Sequence, residues 1–441
     1  MRIAVLGNGA SGLFSAFELV EQGHEVVLIG PADKYGSASY TAGLMLNVYS
    51  EVDCINYNSP LTQLKLESAQ YLFDLWDKIS NSGQTPGFES YSNAKGTEVK
   101  KYEKGNAEFE INSFNKMEQI SLKDTKKNGA YKSNGKVFLP QEKHVNARVF
   151  LNFFCKEVSQ RVSYLDNKAT GIEKLANGKL KVNLATGEPI YSDRAVVCSG
   201  AFSGEVVASS YFSSRVKVNS LFGVGSALLL SSDHSYIPTP ELQGILRTPN
   251  RGGTCGVHAV PCGDKLYVGA SSFVSRYPIV KPQASSVLAL LRGAEEFLNL
   301  ELHKLSIEVL TGFRPLSDDM VPVIGAVDDN VFLMYGGGRD GFTWAPHHAR
   351  IVSNWAEGKT SFGLGWLKLC NPLRSKYSFI NSEPGYKLYE KNKKGSYAQH
   401  GKQVDSSKLK DIYQSAHSRV EQGYMIHPDL VNYYHFEYNK I

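Results

Sequence analysis

Gly7, Gly9 and Gly12 are the first residues of this chain whose type and spacing indicate a particular chemistry. They lie in Gly-Asn-Gly-Ala-Ser-Gly, between an initial apolar run and a stretch whose apolar positions recur at helical spacing. The first glycine allows a tight turn, the second lets the backbone approach a pyrophosphate, and the third lets the helix pack on the strand. Phosphates would bind amides at the helix N-terminus, at Ala10 and Ser11. The pattern therefore predicts a dinucleotide site.

One expected part of such a site is missing. The second strand, residues 26–29, ends in Gly30, where dinucleotide sites usually carry an acidic residue for the ribose hydroxyls. Either Asp33 supplies a carboxylate from the next loop, or backbone and water replace it. Lys34 is a weak signal for a 2′-phosphate, so the pattern does not choose between FAD and NAD(P).

Three later stretches are expected to touch the same ligand. Residues 35–45 form a loop of small residues that can run along a flat ligand, although an ordinary surface turn has the same composition. A strand at 194–198 ends in Ser-Gly-Ala, and a glycine cluster at 336–341 opens a helix from about Trp344. The residues predicted to bind the cofactor here are Ser39, Thr41, Ala42, Gly43, Gly200, Ala201, Gly338, Arg339, Asp340, Gly341 and Phe342.

The elements that position these residues alternate between strands and helices. Asn146 is predicted to cap a helix from about Ala147 to Val158, and Asn177-Gly178 to join two hairpin strands. Strands at 257–260, 265–268 and 307–310, with a helix at Ala284 to Leu298, predict an antiparallel sheet. A helix is also expected within residues 60–80. The predicted fold class is α/β, a Rossmann-type domain with an inserted antiparallel-sheet substrate domain.

Composition places this fold in a globular protein. Of the 441 residues, 42% are hydrophobic, and the net charge is +5. The whole positive excess lies in residues 366–441, which contain 12 Lys/Arg and 7 Asp/Glu. No apolar run reaches the roughly 18 residues of a membrane span. A signal peptide is rejected because its cleavage would remove the glycine turn. Six scattered cysteines form no CxxC pair, which favours a reducing cytoplasm over a disulfide framework or a zinc site.

The ordered segments together resemble the FAD-dependent D-amino-acid oxidase superfamily, and within it the glycine oxidase and D-amino-acid dehydrogenase branch. They are GNGASG, the small-residue loop, VFLPQEKHVNARVFL, RAVVCSGAFSG, VHAVPCGDKLYVGASS, GFRPLSDDMVPVIG and GGGRDGFTWAP. The resemblance covers roughly residues 1–360, with a gap over 81–134. It implies an FAD-binding domain formed by 1–80, 135–205 and 311–365, a polar insertion or cap at 81–134, a substrate domain at 206–310, and an extension at 366–441.

The resemblance also implies site residues. Arg314, in the Gly-Phe-Arg-Pro segment, matches the arginine that pairs with the substrate carboxylate, and Arg339 matches a second guanidinium at the mouth of the pocket. A guanidinium can grip a carboxylate through two parallel hydrogen bonds. The alternative for Arg314 is a structural ion pair with Asp318 or Asp319. His258 stands where relatives carry a tyrosine facing the substrate, and a buried core histidine is the alternative.

What the resemblance implies is an enzyme, a flavoprotein oxidoreductase with non-covalent FAD that oxidises an amino acid or a related primary or secondary amine to the imine by hydride transfer to the flavin. The electron acceptor, O2 or a quinone or carrier, and the identity and stereochemistry of the amine stay open. Alternatives are a biosynthetic or tRNA-modifying amine oxidoreductase with a larger substrate, and a flavin-binding protein without turnover. His347 and His348 are interpreted as structural, and no metal is expected.

The extension at 366–441 is basic and contains nine tyrosines. We expect it to fold over the body or to form a homo-oligomer contact. The alternative is that its interleaved aromatic and basic residues bind nucleic acid.

Overall fold

A computed structural model describes residues 1–43, 45–46, 64–72, 74, 97–100, 132–133, 136–139, 142–232, 239, 242, 244–248, 256–298, 300–359, 365–376, 390, 405–411 and 414. Cys54, Cys255, most of the predicted insertion and most of the basic extension lie outside the described residues. Residues 64–72 are helical, within the stretch where a helix was expected. In the described part of the chain, no helix is long and apolar enough to cross a membrane.

The first sheet is the predicted Rossmann-type sheet. Five parallel strands and one antiparallel edge strand follow the order Val323–Ala326 (β20), Val331–Tyr335 (β21), Arg194–Val197 (β13), Arg2–Leu6 (β1), Glu25–Ile29 (β2) and Ser163–Leu165 (β9). The chain passes from β1 to β2 on one side and returns to β13 on the other. This strand order places a topological switch point at the carboxyl end of β1, where such sheets bind ligands.

Helices and a small sheet bury the two faces of this first sheet. On one face pack α1 (Ala10–Glu21), α3 (Ala147–Ser159) and α6 (Gly341–Ala356). On the other lie α4 (Ser203–Ala208) and a three-stranded sheet of Ala169–Lys174 (β10), Leu180–Leu184 (β11) and Ile190–Ser192 (β12). The predicted cap is confirmed, since the Asn146 side chain accepts a hydrogen bond from the Val149 amide at 3.3 Å. The predicted hairpin about Asn177-Gly178 is confirmed by the β10–β11 pairing.

The second sheet has ten strands. Its order is Gly36–Ser37 (β3), Ser306–Ser317 (β19), Ser220–Ser231 (β14), Lys265–Gly269 (β17), His258–Cys262 (β16), Ile245–Arg247 (β15), Thr97–Lys100 (β5), Lys136–Leu139 (β7) and Lys132–Ser133 (β6), with Phe273–Ser275 (β18) also paired to β14. The helix predicted at Ala284 to Leu298 is confirmed with those bounds as α5, which covers one face of this sheet. The strand β5 lies within the stretch predicted as a cap.

The strand β19 is longer than the sequence predicted. It pairs with β14 over all twelve of its residues, from Ser306 opposite Ser231 to Ser317 opposite Ser220. The Gly-Phe-Arg-Pro segment therefore lies inside a strand of the second sheet. The remaining short elements are Ala38–Thr41 (α2), the strand pair Met45–Leu46 (β4) and Lys143–His144 (β8), and 3-10 turns at Gly200–Phe202, Ser213–Arg215 and Gly365–Lys368.

Residues 365–376, the best described part of the C-terminal extension, fold back onto the first domain. Trp366 is 1% exposed, and its indole nitrogen donates to Glu67 Oε2 at 2.9 Å. The Ile324 amide donates to the Cys370 carbonyl at 2.8 Å. In this segment the extension therefore covers the body, as the first interpretation expected.

Candidate active site

A cavity of about 850 Å³ lies at the carboxyl ends of β1 and β13 and reaches across to the second sheet. All of the predicted cofactor and substrate residues line it except Gly12. The topology explains this convergence, because the glycine turn, the small-residue loop and the residues after β13 all leave the same edge of the first sheet. The volume suits a large ligand that extends between the two sheets.

The first glycine turn is held tightly between the two strands beside it. The Gly7 amide donates to the Ile29 carbonyl at 2.8 Å, and the residue has a φ of 126°, which favours glycine. A Cβ on Gly12 would lie 1.7 Å from the Gly7 carbonyl oxygen. Gly12 thus lies outside the cavity lining because it supports the close packing of helix on strand.

The amides at the start of α1 differ in whether the protein supplies an acceptor for them. The Ala10 amide, which lines the cavity, donates to Ser39 Oγ at 3.0 Å. The amides of Gly9, Ser11 and Gly12 have no acceptor within the described part of the chain. Unpaired amides at a helix N-terminus are what a pyrophosphate requires, so the turn fits a dinucleotide.

The second glycine turn faces the same cavity from the start of α6. Gly336 and Gly338 have φ values of 79° and 56°, and the Gly338 amide donates to the Pro315 carbonyl at 2.8 Å. Asp340 forms an ion pair with Lys65, with 3.1 Å between Lys65 Nζ and Asp340 Oδ1. Lys65 was not predicted from the sequence, because its contact with Asp340 joins segments far apart in the chain.

Arg314 projects from β19 toward β14 and the segment between β17 and β18. Its Nη1 donates to the Ser271 carbonyl at 3.1 Å. A Cβ on Gly225 would lie 2.3 Å from that same Nη1, so the guanidinium lies in space that this glycine leaves open. Within the described residues, no acidic side chain is within ion-pair distance of Arg314.

The alternative that pairs Arg314 with Asp318 or Asp319 is wrong in this structure. Lys376 Nζ lies 2.6 Å from Asp318 Oδ2, and Arg374 Nη2 lies 2.9 Å from Asp319 Oδ1. Both aspartates are thus engaged by the C-terminal segment. Neither aspartate neutralises the Arg314 guanidinium, which lines the cavity.

His258 is both buried and part of the cavity wall. It is 4% exposed, and its Nδ1 lies 3.3 Å from the Gly256 carbonyl oxygen. Its ring stacks on Tyr267, with 6.0 Å between centroids and 14° between planes. The Tyr267 hydroxyl donates to the Thr41 carbonyl at 3.0 Å. This hydrogen bond joins the second sheet to the small-residue loop at 35–45. Tyr267 was not singled out from sequence, although it lies in a quoted segment.

Two further ionisable groups line the cavity. Burial raises the pKa of the Cys198 thiol to about 12, so the group is a neutral thiol and a poor nucleophile at pH 7. Burial lowers the pKa of Lys34, whose ammonium donates to the Pro31 carbonyl at 2.9 Å and lies 5.6 Å from the Tyr40 ring centroid. The described residues contain no group of three His, Cys, Asp or Glu that could hold a metal.

Comparison with known families decides the assignment. The family model described as DAO, FAD dependent oxidoreductase, matches residues 2–355. The chain belongs to the DAO family. FAD is the cofactor of this family, and the resemblance and the fold class predicted from sequence are confirmed. The chain is an FAD-dependent oxidoreductase, whose glycine turns and unpaired amides fit the cofactor.

Solved structures of the DAO fold cover most of the chain. An iminodiacetate oxidase from Chelativorans sp. BNC1 has 16% identity and a TM-score of 0.68, over 82% of this chain and 96% of that one. A glycine oxidase from Geobacillus kaustophilus has 19% identity, a TM-score of 0.64 and the same coverage. An L-α-glycerophosphate oxidase from Mycoplasma pneumoniae with FAD bound has 13% identity and a TM-score of 0.62, over 81% and 94%. A comparison with curated protein sequences gave no significant match.

Proposed function

We propose that the chain oxidises a small amine that carries a carboxylate, an amino acid or an N-substituted amino acid, to the corresponding imine. The observation that carries this proposal is the Arg314 guanidinium, which lines the cofactor cavity and has no acidic partner in the described part of the chain. A planar cation in that position binds a carboxylate through two parallel hydrogen bonds.

The protein contributes mainly placement. The Ser271 carbonyl and the gap above Gly225 fix the direction of the guanidinium. His258 and Tyr267 present their stacked rings from the second sheet toward the loop at Thr41–Gly43, and a small substrate is oriented against them. Bound FAD supplies the acceptor for the hydride. Orientation of this kind accounts for a large part of the rate in reactions where the cofactor carries out the chemistry.

The related proteins support this substrate class without defining it. Iminodiacetate and glycine, named in two of them, are both amines with a carboxylate. L-α-glycerophosphate, named in a third, has no amine and carries a phosphate. The same fold therefore serves different anions, and the proposal depends on the residues of this cavity.

The test is a reductive titration of the purified holoenzyme. The protein is mixed without oxygen with glycine, D- and L-amino acids, N-methyl amino acids, iminodiacetate, glycerophosphate and matched amines that lack a carboxylate. We expect the flavin absorbance near 450 nm to bleach only with carboxylated amines. Bleaching by glycerophosphate alone, or equal bleaching by amines without a carboxylate, would contradict the proposal. Admitting air afterwards shows whether O2 reoxidises the flavin.

A further inference from the structure

The adenosine end of the cavity has a side chain where the usual ribose carboxylate is missing. A Cβ built on Gly30 would lie 2.3 Å from Cγ and 2.5 Å from Oδ1 of Asn8. The Asn8 carboxamide thus occupies the space that an acidic residue at position 30 would need, and Asn8 would have to move to admit one. Asn8 comes from the first glycine turn and lines the cavity.

The orientation of this carboxamide is fixed by its partners. Asn8 Nδ2 donates to the Pro31 carbonyl at 2.9 Å and lies 3.2 Å from the Tyr164 hydroxyl. Since a carbonyl can only accept, the atom facing Pro31 must be the nitrogen. Oδ1 is then the free end, and it has no hydrogen-bond donor within the described part of the chain.

Tyr164 holds this arrangement from the neighbouring strand. Its hydroxyl donates to the Gly30 carbonyl at 2.9 Å, so its lone pairs are available to the Asn8 amide. Burial is the main cause that raises the Tyr164 pKa above its ordinary value. The carboxamide is thus held by a residue of β9 and by the end of β2, without a charge.

Asp33, the other candidate for this role, is placed differently. It is exposed, and its Oδ1 accepts a hydrogen bond from the Tyr35 amide at 2.9 Å, which closes a turn at the rim of the cavity. The carboxylate therefore stabilises its own loop.

We propose that Asn8 Oδ1 accepts a hydrogen bond from a ribose hydroxyl of the FAD adenosine, and that Tyr164 is its positioning residue. A neutral carboxamide at the glycine turn here replaces the carboxylate at the end of the second strand. The assignment concerns the cofactor and does not depend on which amine is oxidised.

Ribose-modified nucleotides test this contact directly. ADP, 2′-deoxy-ADP and 3′-deoxy-ADP are each used to displace FAD from the protein, followed by the recovery of flavin fluorescence. A neutral hydrogen bond corresponds to about a three- to tenfold change in affinity. We expect one of the two deoxy nucleotides to bind that much more weakly than ADP to the wild-type protein. Equal affinity for all three would overturn the proposal without any variant.

Two variants assign the effect to Asn8. In Asn8→Ala the discrimination between ADP and the deoxy nucleotide should disappear, and FAD should bind about three- to tenfold more weakly. Tyr164→Phe should reduce the discrimination partly. Persistence of the full discrimination in Asn8→Ala would overturn the proposal.

The paired substitution Asn8→Gly with Gly30→Glu covers the case in which the single variant folds poorly. Because it restores the usual acidic residue, it should recover or exceed the wild-type discrimination, whereas Gly30→Glu alone should lose FAD affinity through its clash with Asn8. A paired variant that binds FAD well but shows no ribose discrimination would also count against the proposal. Since every readout is nucleotide binding, failure here is distinct from failure of the amine oxidation.

Discussion

Arg374 grips Asp319 with two parallel hydrogen bonds, Nε to Oδ2 at 3.0 Å and Nη2 to Oδ1 at 2.9 Å. The side chains are 5% and 0% exposed, so this ion pair is buried. Arg374 also donates to the Val321 and Pro322 carbonyls at 2.7 and 3.1 Å. The C-terminal segment thus supplies hydrogen-bond donors to the carboxylate and carbonyl groups of the turn that follows β19.

Removing this arginine should destabilise the protein strongly. Arg374→Ala leaves a buried carboxylate without its partner, and breaking one side of a buried pair costs about 3–5 kcal/mol. The measurement is the free energy of unfolding in urea. Lys376→Ala is the matched control, because its ion pair with Asp318 is more exposed, at 30% and 13%, and should lose less. Equal losses of unfolding free energy in the two variants would show that burial of the Arg374–Asp319 pair is not the cause of the destabilisation.

Arg314→Ala should weaken the binding of a carboxylated substrate. Losing charge-assisted hydrogen bonds corresponds to about 1.5–3 kcal/mol, or about a 10- to 150-fold rise in KM. Steady-state kinetics with the substrate found by reductive titration measures it. Arg350→Ala removes an exposed arginine of α6 and serves as the control. A KM within twofold of wild type would remove Arg314 from the substrate site.

Gly225→Ala should act on the same guanidinium from the opposite strand. The new methyl group would lie 2.3 to 2.7 Å from the guanidinium atoms of Arg314, which must move away from the Ser271 carbonyl. A misplaced binding group costs up to about 100-fold in kcat/KM. The flavin spectrum and unfolding free energy should change little, since the atom that moves ends a flexible side chain. Gly365→Ala, whose methyl group meets open space, is the control, and unchanged kinetics in Gly225→Ala would contradict this geometry.

His144 should make the fold sensitive to acid. It is 3% exposed, and burial, with a smaller effect of Lys143, lowers its pKa from 6.5 to about 4. Because the folded state favours the neutral ring, its contribution to stability is complete above pH 6.5 and is lost as the pH falls towards 4. By pH 5 the loss is about 2 kcal/mol.

The measurement for His144 is the change in unfolding free energy between pH 7.5 and pH 5. His144→Gln should show a smaller loss than the wild type, because glutamine does not titrate. His303→Gln, at a histidine whose side chain is 64% exposed, is the control and should behave as the wild type. An equal acid loss in His144→Gln and wild type would refute the role of His144.

The sequence predicted best what depends on neighbours in the chain. The strand, turn and helix around Gly7 follow from periodicity and glycine chemistry, and α5 was predicted with its observed ends. The strand predicted at 307–310 is longer in the structure, Ser306–Ser317, because pairing with all of β14 outweighs the weak strand preference of Gly312 and Pro315.

Contacts between distant segments were beyond the reach of local patterns. The pairing of Arg374 with Asp319 joins residues on either side of α6, and the exclusion of a side chain at Gly30 depends on Asn8. Ser39, in the small-residue loop, accepts a hydrogen bond from the Ala10 amide. Each of these depends on how whole elements pack, which no spacing in the sequence encodes.

The hydrogen bond from the Gly338 amide to the Pro315 carbonyl fixes the distance between the second glycine turn and strand β19. Pro315 follows Arg314 on β19, and Gly338 belongs to the glycine turn that faces the cavity. The distance between Arg314 and this turn is therefore fixed. Under the proposed function, this fixed distance favours substrates of one length. A substrate with one carbon between amine and carboxylate and its homologue with two carbons would present different atoms at the reacting position, so the scaffold itself would contribute to the selection of chain length.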